Sequence, residues 1–345
     1  SNWAGIGDMM RVIQVQRGLG ASKLSINSIG GTVNIITNTA SLEKKAAVTM
    51  ETSNIFGYKL GFGVSTGQTK NGWAFSLNGS RVSGNGYVDN LDLSAWTYGM
   101  TVSKQAGNHI FFLSALGAPQ WHYQRLNKQP IAMYDTSSLD KNHFNPDWGY
   151  LNGEKKALYK NYYHKPMISL NHKWNINERS YLSTVLYASY GRGAGSGFRR
   201  GFASTTLNNN AEGNQLNWDA VYNSNRSRVD TITDRNGNVR TGYLANGILR
   251  DSHNQHDWYG LISTFETQLS SKLHLLVGVD GRIFKGKNFR RVSDLLGADF
   301  YLETNYAGDD TLLINTGSGN VTRKGRLVGM DEKVEYDYKL DIQWA

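Results

Sequence analysis

Apolar and polar residues alternate along most of the chain after Lys44, and an alternation of period two is the pattern of β-strands. Between Trp73 and Asn78, large apolar residues occupy every second position, and Ala, Ser and Asn lie between them. The pattern predicts about ten strands, many of them longer than the ~5–6 residues usual in globular sheets. The alternating segments are 46–53, 58–65, 73–78, 96–103, 161–175, 178–190, 256–270, 272–286 and 336–344, with 108–117 less clear.

One face of these predicted strands is apolar and aromatic, whereas the other carries Gly, Ser, Thr, Asn, Asp or Lys. A soluble β-sandwich also alternates, but its strands are shorter and its core needs bulky side chains. A transmembrane barrel turns its apolar face to lipid and its polar face to a lumen, and we predict this all-β, antiparallel fold. The lipid face predicted within 44–105 comprises Val48, Met50, Leu60, Phe62, Phe75, Leu77, Tyr98 and Met100. The apolar faces assigned further along comprise Tyr181, Val185 and Tyr187, and then Tyr336, Tyr338, Leu340, Ile342 and Trp344.

Short and long connections alternate between the predicted strands. Tight turns follow the strands that end near residues 68, 105, 175 and 270, whereas long loops fall near 118–160, 191–255 and 287–334. The alternation places the long loops on one side of the sheet, as in outer-membrane barrels. A soluble domain with several structureless loops of this size would be unusual.

Composition limits the kinds of site and partner that the protein can have. The chain has 345 residues, no cysteine, 12% aromatic residues and a net charge of +9 made from 37 basic and 28 acidic residues. The absence of cysteine excludes disulfides and cysteine-based metal sites. No dense run of Lys and Arg occurs, so we predict no nucleic-acid partner. The positive net charge remains compatible with a surface that faces anionic lipid or anionic ligands. No apolar stretch approaches the ~18 residues of a spanning helix.

The glycine-rich segment 14–39 reads QVQRGLGASKLSINSIGGTVNIITNT. It lacks the third glycine of a dinucleotide-binding loop, and no amphipathic helix follows it, so a phosphate-binding loop is not supported. The segment resembles the end of the plug domain of TonB-dependent outer-membrane receptors, although SKLSINS replaces an aromatic–Gly pair often found there. The matching residues are Val15, Arg17, Gly18, Gly20, Ala21, Ser22, Gly30, Gly31, Thr32, Val33, Asn34, Ile35, Ile36 and Thr37.

The resemblance implies a plug remnant in residues 1–42 and the first part of a barrel in 43–345. The family barrel has 22 strands, so about ten strands would be a partial barrel, and we expect an incomplete receptor because unpaired edges are not tolerated in lipid. The implied function is TonB-driven nutrient import in the outer membrane of a Gram-negative bacterium, with no enzymatic activity and no cofactor. TonB would bind through a box upstream of this chain. Segments 117–125 and 145–153 resemble members from Bacteroidota.

Three functions remain open at this point. The first is import of an iron chelate of the siderophore or ferric citrate type. The second is import of a glycan, peptide or cobalamin together with a surface lipoprotein, and the third is a non-transporting barrel used for adhesion. A TonB box in the upstream sequence would support import, and its absence from the full gene would support adhesion.

A candidate ligand site lies in segment 117–128, where aromatic rings and a cation suit an anionic, partly flat chelate. Ordinary loop packing would produce the same composition. The candidate ligand-binding residues are Gln120, Trp121, His122, Tyr123 and Arg125. Basic residues of other long loops could meet an anionic ligand or the lipopolysaccharide outside, namely Arg199, Arg200, Arg290 and Arg291.

The plug motif supplies the remaining candidates. By resemblance, Arg17 pairs with a carboxylate of the inner wall, and Glu51 and Glu266 have the polar parity of their strands. Gly30 and Gly31 are expected to serve the backbone, and 12–16 and 32–37 to form two short plug strands. We interpret 234–238, DRNGN, as a hairpin tip and not as a calcium loop. The histidines show no metal-ligand spacing, so we predict no structural metal.

Overall fold

A computed structural model describes residues 10–17, 31–37, 43–54, 57–128, 130–132, 143–199, 215–234, 236–304, 311–315 and 319–344. The strands are β1 (Met10–Arg17), β2 (Gly31–Thr37), β3 (Lys44–Ser53), β4 (Gly57–Thr66), β5 (Trp73–Gly84), β6 (Leu93–Ala106), β7 (His109–Gly117), β8 (Gln120–Tyr123), β9 (Trp148–Leu151), β10 (Glu154–Ala157), β11 (Lys160–His164), β12 (Met167–Asn177), β13 (Ser180–Arg199), β14 (Leu216–Asn217), β15 (Val229–Thr233), β16 (Val239–Tyr243), β17 (Ile248–Ser270), β18 (Leu273–Asp294), β19 (Tyr301–Glu303), β20 (Thr311–Asn315), β21 (Asn320–Lys324), β22 (Arg326–Val328) and β23 (Lys333–Trp344). The helix α1 spans Trp218–Asn225. No helix within these ranges has the length and apolar character needed to cross a membrane.

The main sheet contains twelve strands that occupy ten successive positions. Its order is β3, β4, β5, β6, then β7 with β8, then β12 with β11, then β13, β17, β18 and β23. Every neighbouring pair is antiparallel. The prediction of an antiparallel all-β fold with about ten strands is therefore confirmed.

Two adjacent positions of the sheet are each interrupted at a proline. Pro119 separates β7 from β8, and Pro166 separates β11 from β12. Proline has no N–H to donate to a ladder. Both carbonyls still accept ladder bonds, from Trp96 N at 2.9 Å and Tyr190 N at 3.1 Å. The sheet therefore continues past the interruptions, and β8 and β11 extend it on the loop side.

The connections alternate as predicted. Residues 67–72, 107–108, 178–179 and 271–272 form the tight turns, and Gly72 and Gly107 adopt φ values of 77° and 56° there. The long strands exceed the sequence prediction, because β13 continues to Arg199 and β17 begins at Ile248. These two ends pair with each other, so part of the predicted 191–255 loop is sheet. In the same way β18 reaches Asp294, inside the predicted 287–334 loop.

The faces of the first strands follow the prediction. The eight residues assigned to the lipid face between 44 and 105 are all exposed, Val48 and Met50 by 79% and 75% of their surface. The pairing puts them on one side, since Val48 lies opposite Phe62. The other side carries small residues that are buried, namely Ser65, Ala74, Ser80, Thr97, Thr101 and Ser114. We call these sides the apolar face and the polar face.

Two face assignments were wrong. In β13, Leu186 pairs with Leu170 on the apolar face, so Tyr181, Val185 and Tyr187 lie on the polar face. Both parities of this segment carry apolar residues, so the alternation alone could not select one. In β23, Leu340 lies opposite Gly286, so Tyr338, Leu340 and Ile342 lie on the polar face, whereas the side chains of Tyr336 and Trp344 lie outside the description. The irregularity between Phe289 and Arg290 shifts the register by two residues and therefore leaves the faces unchanged. The assignment failed because alternation shows which residues share a face, whereas only the pairing with β18 shows which side of the sheet that face is on.

The long loops contain regular structure and three hydrophobic clusters, two of which include residues from the loop-side ends of the wall strands β17, β18 and β23. The loop module, as we name the described parts of 143–159, 215–247 and 295–332, contains α1, a four-stranded sheet of order β16-β15-β20-β21 and the pair β19-β22. Trp218 and Val221 of α1 are fully buried in one of its three hydrophobic clusters. Asn217 caps α1 by accepting from Ala220 N at 2.9 Å. The loops are therefore folded, and of this structure the sequence analysis predicted only the hairpin with its tip at 234–238.

A buried amide joins the parts of the loop module. Asn225 Nδ2 lies 3.0 Å from Gly247 O and 3.1 Å from Leu295 O, and Asn225 Oδ1 accepts from Asn246 N at 2.8 Å. A buried polar group is stable only when it is bonded in this way. The single side chain therefore fixes the end of α1 to the start of β17 and to the chain after β18.

Candidate functional site

The predicted ligand cluster is divided between the two faces of the sheet. Four of its residues form β8, in which successive side chains point to opposite sides. Gln120 lies opposite Ala95, which puts Gln120 and His122 on the polar face. Trp121 and Tyr123 therefore lie on the opposite face. The structure thus brings together two pairs of residues and not one group of four.

Gln120 and His122 belong to two rows that cross the polar face on the loop side. Each row follows residues that lie opposite one another in neighbouring strands. The first row contains His122, Asn161, Gly195, Ser252 and Arg290. The second row contains Gln120, Tyr163, Gly193, Asn254 and Asn288. We call the two rows, with Arg250, the polar wall patch.

The glycines of β13 make room in this patch. Gly191, Gly193, Gly195 and Gly197 fall at alternate positions, so all four have the polar-face parity. A Cβ on Gly193 would overlap Tyr163 Cβ, and one on Gly197 would lie 2.9 Å from an Arg250 nitrogen. Tyr163 and Arg250, from the adjacent strands, therefore lie over the backbone of β13, where the four glycines have no side chains. Sequence reasoning missed this feature, and its signal was the alternation in GRGAGSG.

Two guanidinium groups converge in the polar wall patch. Arg250 NH1 and Arg290 Nε each donate to Ser252 Oγ at 3.1 Å. Burial lowers the pKa of His122, which favours its neutral imidazole near pH 7. Burial raises the pKa of Tyr163 to about 12, with Gln120 acting in the opposite direction, so the phenol stays protonated. The patch therefore combines two fixed cations with neutral groups that can donate and accept hydrogen bonds.

The other half of the predicted cluster has packing partners. The Trp121 and Tyr123 rings lie 5.3 Å apart, and Lys160 Nζ lies 5.2 Å from the Trp121 ring centroid. Next to them Tyr162 donates to Asp251 Oδ2 at 3.2 Å. Burial first, and then this carboxylate, raise the pKa of Tyr162 to about 12. These contacts fit the alternative of ordinary packing.

Arg125 lies beyond the end of β8 and helps to hold the following loop. Its NH1 donates to Phe144 O at 3.0 Å. The next residues are fixed by Asp147, whose Oδ2 accepts from Leu126 N at 2.6 Å and Asn127 N at 3.0 Å.

Among the other basic candidates, Arg290 lies in the polar wall patch. Arg199 NH2 is 3.7 Å from Glu303 Oε1, the Arg291 guanidinium is 5.1 Å from the Phe289 ring, and Arg200 lies outside the described residues.

The plug motif is described only in part. β1 and β2 form an antiparallel pair in which Arg17 lies opposite Gly31, and Asn34 pairs with Gln14. Gly31 has φ 125°, which agrees with a backbone role, and Arg17 is exposed. Gly18, Gly20 and Gly30 lie outside the described residues.

The two carboxylates proposed for Arg17 each have a partner on the sheet. Lys59 Nζ lies 3.1 Å from Glu51 Oε1, and the Tyr181 hydroxyl donates to Glu266 Oε2. A pairing of Arg17 with either carboxylate stays a prediction.

Within the described ranges no three His, Asp or Glu side chains are arranged to hold a metal ion. The 234–238 hairpin tip is confirmed, with Asp234 accepting from Asn238 N at 2.9 Å between β15 and β16.

Solved structures with a similar fold are receptors. The match with BauA, the ferric preacinetobactin receptor from Acinetobacter baumannii, covers 96% of this chain and 43% of the BauA chain. Its TM-score is 0.58 and its sequence identity is 12%. The match with the siderophore receptor PiuA from the same species covers 97% of this chain and 42% of the PiuA chain. Its TM-score is 0.50 and its sequence identity is 9%. The chain thus spans less than half the length of these receptors, and the likeness shows the fold. No family model and no curated protein sequence matches the chain.

Proposed function

We propose that this chain is part of a TonB-dependent receptor that imports an iron chelate across the outer membrane of a Gram-negative bacterium. The observation that supports this most is the shared fold with BauA over 96% of the chain. The plug-like sequence of 14–39 adds independent support. In this proposal residues 1–42 are plug, 43–345 are barrel, and TonB binds upstream. Origin in Bacteroidota and a surface lipoprotein partner stay predictions.

The apolar face is proposed to contact lipid. Lys104 Nζ lies 5.0 Å from the Trp73 ring at the tight-turn end, and the Arg81 guanidinium lies 5.0 Å from the Trp96 ring at the loop end. Aromatic and cationic residues mark the two interfaces of an outer-membrane barrel. From Trp96 to Lys104, β6 contains nine residues. This length agrees with the ~9–11 residues that a tilted transmembrane strand needs.

The polar wall patch is proposed to contact the ligand. A ferric chelate with negative charge would meet Arg250 and Arg290, whereas Tyr163, Gln120 and His122 could accept or donate hydrogen bonds to its polar groups. The patch lies on the loop side, where a ligand from outside would enter. We therefore assign ligand contact to Gln120 and His122, and packing roles to Trp121, Tyr123 and Arg125.

Uptake of radioactive iron tests the function. The full-length receptor would be expressed in a host without its own iron receptors and supplied with catecholate, hydroxamate and citrate chelates. We expect uptake of one chelate class, and loss of that uptake when TonB is deleted. Arg250→Gln with Arg290→Gln should weaken chelate binding, and Trp121→Leu should not.

The same experiment separates the alternatives. Uptake of cobalamin or a glycan with none of any iron chelate would identify the second candidate function. Binding to cells or surfaces with no TonB-dependent uptake would identify an adhesion barrel. Either outcome would contradict the proposal.

A further inference from the structure

The polar face of the sheet changes character along rows of paired residues. In β4 to β7 and β12, one row consists of five small hydroxyl residues that lie opposite one another in neighbouring strands, namely Ser65, Ser76, Thr101, Ser114 and Ser169. The next row toward the loops begins with three small residues in β4 to β6, namely Gly63, Asn78 and Gly99. We call these eight residues the small-residue half of the polar face.

Thr101 lies in the middle of the hydroxyl row, between two bonded pairs. Ser65 Oγ lies 3.0 Å from Ser76 Oγ on one side, and Ser114 Oγ lies 2.8 Å from Ser169 Oγ on the other. Thr101 has the polar-face parity and is 7% exposed, and its Oγ1 has no hydrogen-bond partner among the described residues. Buried polar atoms normally have a partner. The geometry therefore leaves this hydroxyl for a polar group on the enclosed side of the wall.

The same two rows continue through β13, β17 and β18 with large side chains. In the hydroxyl row, Tyr187 lies over Gly260, since a Cβ there would be 2.2 Å from the Tyr187 Cζ, and Arg282 follows as the next partner. In the other row, Trp258 and Phe284 are partners, and their rings lie 4.6 Å apart. We call these four large side chains the crowded half.

The crowded half lies below the polar wall patch in the same strands, on the side away from the loops. The His256 ring lies between them, 5.4 Å from the Phe284 ring. Arg282 offers a ligand no free charge, because its Nε donates to Asp280 Oδ1 at 2.9 Å. Glycine and serine project much less from the wall than tyrosine or tryptophan, so the enclosed space is wider over the small-residue half.

We propose that an imported chelate passes through the lumen along the small-residue half, while the crowded half stays packed against the plug. Passage needs contacts that are favourable enough for entry and weak enough for release. The serines that bond to each other hold a passing ligand weakly, and Thr101 offers it one free hydroxyl. Large side chains interlock with whatever fills the lumen. The inference rests on the proposed function, which places a lumen at the polar face.

Gly63→Phe and Ser189→Phe test the path, because both positions belong to one row of the polar face and Ser189 lies opposite Trp258. A Cβ on Gly63 would come no closer than 3.9 Å to Asn78 Cβ, so the wall has room for a side chain there. In the full-length receptor, Gly63→Phe should lose uptake of radioactive iron and keep chelate binding in cells without TonB. Ser189→Phe and the small substitution Gly63→Ser should keep both.

Thiol labelling is a second measurement that needs no bulky substitution. The chain has no cysteine, so Gly63→Cys and Ser189→Cys each introduce one thiol here, after removal of any cysteine from the rest of the receptor. A water-soluble thiol reagent is added to cells that import the chelate. We expect modification of Gly63→Cys to become faster during import and to slow when TonB is deleted, with no such change at Ser189→Cys.

The outcomes separate this inference from the proposed function. Full uptake by Gly63→Phe, equal loss of uptake in Ser189→Phe, loss of chelate binding in Gly63→Phe, or faster modification at Ser189→Cys than at Gly63→Cys during import would each overturn the path. All of these are measured against an unaltered receptor that imports iron. Absence of TonB-dependent uptake by the unaltered receptor would contradict the proposed function itself.

Discussion

The barrel wall and the loop module use the same residue types in opposite ways. In the wall, Phe62 and Leu77 expose 48% and 47% of their surface on the apolar face, while small polar residues lie on the enclosed side. In the loop module, Trp218 and Val221 are fully buried. The module is therefore stabilised in water by the hydrophobic effect, whereas the wall needs lipid to remove its apolar face from water. The two regions should respond differently to the same kind of substitution.

The largest effect is expected from Trp218→Ala in the loop module. It removes a buried ring and the bond from Trp218 Nε1 to Lys156 O at 2.9 Å, and should cost about 3–5 kcal/mol. Proteolysis and hydrogen exchange should show opening of the module with an intact wall. The control is Trp96→Ala in the wall, which should leave the module protected. Equal loss of protection across the wall in both variants would show that the two regions fold as one unit.

A charge in the wall should cost less than the loss of Trp218, and it should cost most on the apolar face. Leu77→Lys places an ammonium on the apolar face at mid-depth and should destabilise the protein by about 2–4 kcal/mol in lipid vesicles. Asn78→Lys, its neighbour on the polar face, should cost clearly less. The free energy of unfolding in denaturant measures both. Equal costs would mean that the apolar face does not contact lipid.

The strands of the wall also differ in how well their faces could be predicted from the sequence. In segments 46–50, 58–65, 73–78 and 96–103, large apolar residues occupy one parity only, so the faces of β3 to β6 could be assigned correctly. In β13, Leu182 and Leu186 alternate with Val185 and Tyr187, and only the pairing with β12 decides between the faces. In β23 the alternation is clear, but only the pairing with β18 shows that its apolar parity lies on the polar face.

The loop module could not be predicted because its contacts are not local. Its strands have two to five residues, and Asn225 bonds to chain segments 22 and 70 residues away. The candidate site was predicted in part. Gln120 and His122 reach the polar wall patch, but treating 117–128 as a loop hid the alternation that separates them from Trp121 and Tyr123. Arg250 and Ser252 join the patch only through the pairing of β13, β17 and β18.

A smaller effect is expected where side chains lie across glycines in the wall. Gly193→Ala would push Tyr163 away from β13, and overpacking of this kind costs about 1–3 kcal/mol. Gly281→Ala is the matched control in the same sheet, since its Cβ would meet no atom within 4 Å. Thermal unfolding should separate the two variants. If both behave alike, Tyr163 does not need the space above Gly193.

The smallest effect is expected at the hairpin tip of the loop module, where pH acts on one carboxylate. Bonds from Asn238, first from its side chain and then from its backbone, lower the pKa of Asp234 in the folded protein. A lowered folded pKa means that the stabilisation is present above the unfolded pKa and is lost as pH falls through the folded value. Hydrogen exchange should therefore show protection of Asn236 and Asn238 amides at neutral pH that decreases in acid. Asp234→Asn keeps an acceptor for these amides but cannot titrate, so its protection should be nearly independent of pH. Because Asn236 and Asn238 are exposed and lie outside the wall strands, the wall should keep its protection throughout. A simultaneous loss there would show that the hairpin and the wall are coupled.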